Sequence, residues 1–218
     1  MDILITGASD GIGRATAEYF LERGHSVVGF DRKPPALAHP NYRHEILDIC
    51  DADAYPEDVQ PEILINNAGV QDSGRDIEIN LMGTIRITEK YAIDNPRIRA
   101  VVMVGSASAH TGSEFPEYAA SKGGLLTYTK NAALRLAPRA VCNSIDPGGV
   151  LTDLNRPVME DPELWDQIMA LTPLRRWATP EEIAEWIYFV GVRNRFMTGQ
   201  NLLIDGGEAG DAHFVWKD

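Results

Sequence analysis

The stretch Thr6-Gly7-Ala8-Ser9-Asp10-Gly11-Ile12-Gly13 follows the apolar run Ile3-Leu4-Ile5 and leads into a helical pattern from Gly13 to Arg23. A strand that feeds a glycine-rich turn and then a helix aims backbone N–H groups and the positive end of the helix dipole at one spot. That arrangement suits a pyrophosphate. Glycine at 7 lets the chain turn sharply, glycine at 11 lets a diphosphate approach the backbone, and glycine at 13 lets helix and strand pack closely. The spacing departs from GxGxxG, and the motif alone leaves open a turn that serves only tight packing. The next apolar run, SVVGF (26–30), ends on Asp31, where a carboxylate would accept hydrogen bonds from ribose hydroxyls. Asp31 therefore favours NAD. A 2′-phosphate would meet like charge there, although Arg32 and Lys33 offset part of the repulsion, so NADP is disfavoured and stays open.

Outward from this turn, short apolar runs alternate with helical patterns. The runs ILIT, SVVGF, HEILD, EILINN, AVVMVGS, AVCNSID and NLLID predict about seven strands. Helices are expected from about Asp76, around residues 118–137, within the polar stretch from Thr152 to about Ala170, and after Thr179-Pro180-Glu181-Glu182. This last tetrad reads as an N-cap, a proline at the first helical position and acids in the first turn. The alternation predicts an α/β fold with a parallel sheet and crossover helices. A chain of 218 residues without repeats or a long linker suits one domain, residues 1–218, around one core.

Bulk properties exclude several classes of function. The formal charge of −12 repels a phosphate backbone, and the compact basic clusters are only Arg32-Lys33 and Arg175-Arg176, so nucleic acid is not an expected partner. Apolar runs fall far short of the roughly 20 residues that span a bilayer, and MDILITG lacks the pattern of an export signal. Cys50 and Cys142 have neither the density nor the spacing of a disulfide framework or a metal site. The expectation is a cytoplasmic, membrane-free protein with no metal.

Tyr118 and Lys122, in YAASK, stand one helical turn apart and would share a helix face. A phenol, with an unperturbed pKa of about 10, is a poor base near neutrality. A nearby ammonium stabilises its phenolate. The protonated phenol could donate to a carbonyl oxygen as hydride reaches carbon. Such pairs are also common on exposed helices, and the spacing alone does not separate the two readings.

The motifs in combination resemble the classical short-chain dehydrogenase/reductase family over nearly the whole chain. The resemblance is carried by TGASDGIG at 6–13, Asn66-Asn67-Ala68-Gly69, Asn80 in INLMGT, Ser106 in VVMVGSAS, and YAASK. Pro147-Gly148-Gly149-Val150 with Thr152, and Asp205-Gly206-Gly207, match further family features. It implies a Rossmann-type, doubly wound parallel sheet with helices on both faces. It also implies a catalytic set of Asn80, Ser106, Tyr118 and Lys122. Ser106 would hold the substrate oxygen near Tyr118, Lys122 would also bind the nicotinamide ribose, and Asn80 would hold a water in a proton relay. Ser108 competes with Ser106, because both end the same strand; Ser106, which directly follows VVMVG, is favoured.

The cofactor set implied is Gly7, Ser9, Asp10, Gly11, Ile12 and Gly13 in the turn, then Asp31 and Arg32, then Asp48 and Ile49 as an adenine-contacting pair. Asn67, Ala68 and Gly69 follow after the fourth strand, and Pro147, Gly148, Val150 and Thr152 join Tyr118 and Lys122 at the other end. The reaction implied is hydride transfer between NAD and a secondary alcohol or ketone. The alternatives are an NADPH-dependent carbonyl or 3-oxoacyl reductase and a non-catalytic nucleotide sensor or scaffold, the last opposed by an intact Ser106, Tyr118 and Lys122. Small residues along the YAASK helix, from Ala119 to Gly124, leave room for close helix approach, and the resemblance implies a homodimer or homotetramer.

Residues of about 152–177 occupy the family's variable substrate segment. Leu154, Met159, Leu164, Trp165, Ile168, Met169 and Leu171 suit a hydrophobic or alicyclic small-molecule substrate, with Asp153, Asn155 and Arg156 adding polar contacts. Trp165, Ile168 and Met169 equally suit a plain helix core face. Two segments are short for the family: residues 70–79, where a helix is expected to be trimmed, and the link between HEILD and EILINN.

Overall fold

Strand β1 (Asp2–Thr6) sits where the winding of the sheet reverses, pairing in parallel with β2 (Ser26–Asp31) on one side and β4 (Ile63–Asn66) on the other. The remaining strands are β3 (Tyr42–Ile46), β5 (Ala100–Val104), β6 (Val141–Pro147) and β7 (Asn201–Ile204). They form a seven-stranded sheet in the order β3-β2-β1-β4-β5-β6-β7, every pair parallel. The computed structural model describes residues 1–113 and 115–210, so the end of the expected 1–218 domain lies outside the described residues.

Strand periodicity divides the core into two layers. Ile3, Ile5, Val27, Ile63, Ile65 and Val102 pack with Phe20 of α1 (Gly11–Leu21). Ile183 and Ile187 of the helix after Thr179 join this layer. On the opposite face Leu4, Phe30, Leu64, Val101 and Met103 pack with Ile87 of α2 (Thr84–Thr88). Tyr91, Ala132 and Leu136 complete that layer. Helices thus cover both faces, as expected. Helix α2 is the middle of a longer helical run, with wider π turns at Ile77–Gly83 and Glu89–Ile93. Helices α3 (Ser108–Thr111) and α4 (Pro116–Leu136) follow β5, α5 (Arg156–Met159) and α6 (Pro162–Leu171) follow β6, and α7 (Pro180–Tyr188) precedes β7.

Several boundaries differ from the sequence reading, each for a local reason. Helix α1 starts at Gly11, two residues earlier than the pattern suggests, because the Asp10 carboxylate accepts from Gly11 N and caps it. Strand β3 lies two residues earlier than HEILD, since Asp48 turns the chain by accepting from Cys50 N. In the shortened 70–79 segment, the Asp76 carboxylate gathers Asp72 N, Ser73 N and Ser73 Oγ into a tight turn before the helical run.

The links on either side of β3 contain no α-helix among the described residues. Pro34, Pro35 and Pro40 interrupt the first; the second holds one 3₁₀ turn at Ala52–Ala54 between β3 and the start of β4. In place of a helix, Tyr55 and Val59 cover the sheet. The Tyr55 ring lies 5.9 Å from Tyr91, which in turn meets Phe30 edge-on at 5.5 Å, and the Tyr55 hydroxyl donates to Ile49 O.

Helix α7 begins as expected. The Thr179 hydroxyl accepts from Glu182 N and the Glu182 carboxylate accepts from Thr179 N, a reciprocal capping box. Tyr55→Ala is expected to lower unfolding free energy by about 3 kcal/mol, as large aromatic truncations in packed cores do. Thr179→Ala should cost only about 1 kcal/mol. Urea denaturation followed by circular dichroism checks both, and equal losses would mean that the tyrosine does not substitute for the missing helix.

Candidate active site

The reversal between β1 and β4 opens a crevice at the carboxyl ends of these strands. There the Thr6 hydroxyl accepts from Asn67 N and Ala68 N, each at 3.0 Å, and the Asn67 side-chain amide donates to Thr6 O and Gly7 O, each at 3.1 Å. This lashes the glycine turn to the end of β4. Gly7 has φ +69°, and a Cβ there would stand 2.9 Å from Ala68 Cα. A side chain at Gly13 would overlap the Gly7 carbonyl. Gly11, at φ +45°, faces the methyl of Thr152. The Ser9 hydroxyl oxygen is buried with no hydrogen-bond partner among the described residues.

Asp31 is held in place from both sides. Its carboxylate accepts from Ser9 N and from Lys33 N, each at 2.9 Å. A carboxylate has about four acceptor positions, so capacity remains for two hydroxyls. The Lys33 ammonium reaches Asp10 at 2.6 Å, and this bond, with the cap to Gly11 N, holds the Asp10 carboxyl below its usual range. Arg32 is exposed on the cleft wall.

These groups line one end of a cleft of 1310 Å³. Ile12, Asp48, Ile49, Ala68 and Gly69 also line it. Ile49 packs under Gly83, where a Cβ would come within 2.9 Å of its methyl. Pro147, Gly148, Val150 and Thr152 form the wall leading to the other end, with Gly148 N donating to Ile204 O. Ser9, Gly13 and Asn80 lie behind the wall.

At the far end stand Ser106, Ser108, Tyr118 and Lys122. Lys122 is buried, and its Nζ donates to Val104 O at 2.9 Å while lying 5.7 Å from the centre of the Tyr118 ring. Burial brings the Lys122 ammonium down to about 8, against the opposing pull of Asp146 and Asp76. Ser106 and Ser108 are both buried in this wall, and Ser108 N donates to Ser106 Oγ at 3.2 Å. The Ser106 hydroxyl hydrogen therefore remains available to another acceptor. Asn80 is fully buried: its Oδ1 accepts from Val70 N, and its Nδ2 donates to Val70 O and Ser121 Oγ. Both of its hydrogens are committed, leaving one lone pair of Oδ1 for a water.

The 152–177 segment closes over this end. Helix α6 contains no buried residue, so its apolar face does not belong to the core. Leu154, Leu164, Ile168 and Leu171 line the cleft with Asp153 and Asn155, whereas Trp165 packs edge-on against Trp177 at 5.0 Å and Arg156 pairs with Asp153. Trp177, Val158 and Phe115 also line the cleft and were not singled out in the sequence, nor was the Thr6 hydroxyl. Trp177 is legible only through Gly149, where any side chain would overlap its indole.

Comparison with known proteins gives the same assignment. A family model described as short chain dehydrogenase matches residues 2–62, and one described as Enoyl-(Acyl carrier protein) reductase matches residues 60–208. The 3-oxoacyl-[acyl-carrier-protein] reductase FabG of Thermotoga maritima is 30% identical, with 94% of this chain and 96% of the relative covered. The L-rhamnose 1-dehydrogenase (NAD(P)(+)) of Azotobacter vinelandii is 29% identical, with 94% and 95% covered. The solved structure of Thermoplasma acidophilum aldohexose dehydrogenase in ligand-free form is 28% identical and superposes with a TM-score of 0.87, covering 100% of this chain and 97% of that one. No helix among the described residues is long and apolar enough to cross a membrane. From the glycine turn to the last strand, then, this chain belongs to the short-chain dehydrogenase/reductase family, and it is a nicotinamide-dependent oxidoreductase acting on CH–OH groups.

Proposed function

We propose that the protein interconverts a secondary alcohol and its ketone with NAD, on a small and largely apolar substrate. The observation that carries this reading is the single cleft that joins the glycine turn and Asp31 at one end to Ser106, Tyr118 and Lys122 at the other. A dinucleotide fits the first end: the glycines keep the backbone open and Asp31 has acceptors to spare. A nicotinamide bound in this cleft would supply the acceptor for the hydride of the alcohol carbon, or its donor in the reverse direction.

The residues of this chain manage the proton and the geometry. Ser106 donates its free hydroxyl hydrogen to the substrate oxygen and fixes it near Tyr118. Tyr118 takes the proton of the alcohol oxygen in oxidation and gives it back in reduction. Lys122 lends positive charge to the phenol, and the two N–H groups not bound to Val104 O are left for the nicotinamide ribose. Asn80 holds Val70 and Ser121 in register and offers a lone pair to a relay water. Leu154, Val158, Leu164, Ile168, Leu171 and Trp177 give the substrate an apolar wall.

NAD is preferred over NADP because Lys33 is already committed to Asp10, so a 2′-phosphate would meet Asp31 with only exposed Arg32 to offset it. Asp31→Asn should lower the ratio of kcat/KM for NAD to that for NADP about tenfold or more, equivalent to about 1.4 kcal/mol. An unchanged ratio would remove Asp31 from the selection. Tyr118→Phe should cut turnover of cyclic secondary alcohols by roughly a thousandfold, while NAD binding, followed by fluorescence, stays close to that of the unaltered protein. Full turnover by this variant would refute the proposed proton path.

A further inference from the structure

Strand β6 carries an aspartate in a wholly enclosed position, beside the buried Asn143 and Ser144. Asp146 is 0% exposed, and it sits opposite the carboxyl end of β5. Its carboxylate occupies the space that Gly105 leaves empty, since any side chain at 105 would overlap Asp146 Oδ1. The other oxygen, Oδ2, lies 2.7 Å from His110 Nε2. Oδ1 is buried without a hydrogen-bond partner among the described residues. A buried acid held by His110, with the Ser144 hydroxyl near it and a glycine clearing room for it, has a use beyond packing.

The neighbours suggest that use. Gly105 lies between Val104, whose carbonyl takes the Lys122 ammonium, and Ser106. His110 lies four residues beyond Ser106 on α3, with its side chain 27% exposed. Among the described residues, the charged or titratable groups around Lys122 are Asp146 from β6, Asp76 from the turn ahead of the Ile77–Gly83 helical run, and Tyr118 from its own helix. Around Asp146 they are His110 and Lys122. A buried ammonium is retained only if opposite charge offsets its lost hydration.

We propose that Asp146 is a positioning residue of the reaction: its carboxylate, seated in the gap at Gly105 and anchored by His110, is the counter-charge that keeps Lys122 an ammonium beside Tyr118. It touches no substrate and acts through Lys122. His110 ties the Ser106–Thr111 turn to β6 and connects the enclosed acid to the surface. Burial works against both charges, lowering Lys122 and raising Asp146, and the cluster opposes it: Asp146 is the first group to pull Lys122 back up, and His110, Ser144 and Lys122 pull Asp146 back down.

This inference rests on Tyr118 and Lys122 being the reacting pair, so its test reads ionisation directly and needs no substrate. Phenolate absorbance is titrated as the difference between each protein and its Tyr118→Phe counterpart. Asp146→Asn keeps the shape and a bond to His110 but removes the charge, and it should move the Tyr118 midpoint upward by roughly one pH unit. The acid limb of alcohol oxidation should move the same way. His110→Gln, which retains a donor to Asp146, should leave the midpoint in place. An unmoved midpoint in Asp146→Asn overturns the proposal, whatever happens to the rate, because a merely structural aspartate would lower activity at every pH without shifting the limb. A second measurement needs no variant at residue 146. In the unaltered protein, carbon NMR of labelled lysine, with Lys122 identified by its loss in Lys122→Met, should show the ammonium as the major form at pH 7 and lost as pH rises through about 8. A Lys122 already neutral at pH 7 would overturn the proposal on its own.

Discussion

Two strands that part company leave backbone groups without their ladder partners, and an α/β sheet must satisfy them at the point where its winding reverses. Here one hydroxyl does so. Thr6 Oγ1 accepts from the amides of Asn67 and Ala68, and the Asn67 side chain answers by donating to the carbonyls of Thr6 and Gly7. The end of β1, the start of the glycine turn and the end of β4 become one rigid body. Only glycine then fits at 7 and 13, because the lashing brings Ala68 and Asn67 against Gly7 and brings the Gly7 carbonyl against Gly13. The open cradle at the head of α1 is the consequence of that closeness.

From this fixed point the cleft extends along the carboxyl ends of β2, β4, β5 and β6, and each strand end places residues along it. β2 contributes Asp31, which is braced by Ser9 N and Lys33 N. β5 contributes the Val104 carbonyl that receives Lys122, and Ser106 follows two residues later. β6 contributes Pro147 and Gly148 on the wall and Asp146 beneath it. Placement on strand ends, with helices packed behind, gives these groups a precision that loops alone would not supply. The trimmed links around β3 cost the fold little because they lie at the edge of the sheet, away from this row, where Tyr55 and Val59 suffice as cover.

The sequence shows clearly whatever depends on period or on a motif with a fixed place. Seven apolar runs become seven strands, and the motif residues from Gly7 to Lys122 come together in one cleft and its backing. It is blurred where one side chain overrides the pattern, as Asp10 does in starting α1 early and Asp48 in ending β3 early. It is ambiguous for α6, because an apolar stripe has the same period whether it faces a core or a cleft; Leu164 and Ile168 face the cleft. It is silent for Asp146. A lone acid inside NSIDPGG has no periodic partner, and its meaning depends on Gly105 across the strand pair and His110 on another element, a coincidence that only the folded chain assembles.

The charge arrangement of the cleft follows from the same economy. A chain of net charge −12 must receive a dinucleotide whose diphosphate is itself anionic, and the glycine turn offers amides and a helix N-terminus there rather than a cationic clamp. The Asp10 carboxylate, which would oppose the diphosphate, is neutralised by Lys33 at 2.6 Å. The Asp31 carboxylate, braced by Ser9 N and Lys33 N, has acceptor positions left over at the end of β2. At the other end Arg156 is tied to Asp153, and Lys122 faces inward toward Val104 and the Tyr118 ring. The apolar wall from Leu154 to Trp177 and the buried amine of Lys122 thus meet at the same end of the cleft, the wall from the segment after β6 and the amine from α4.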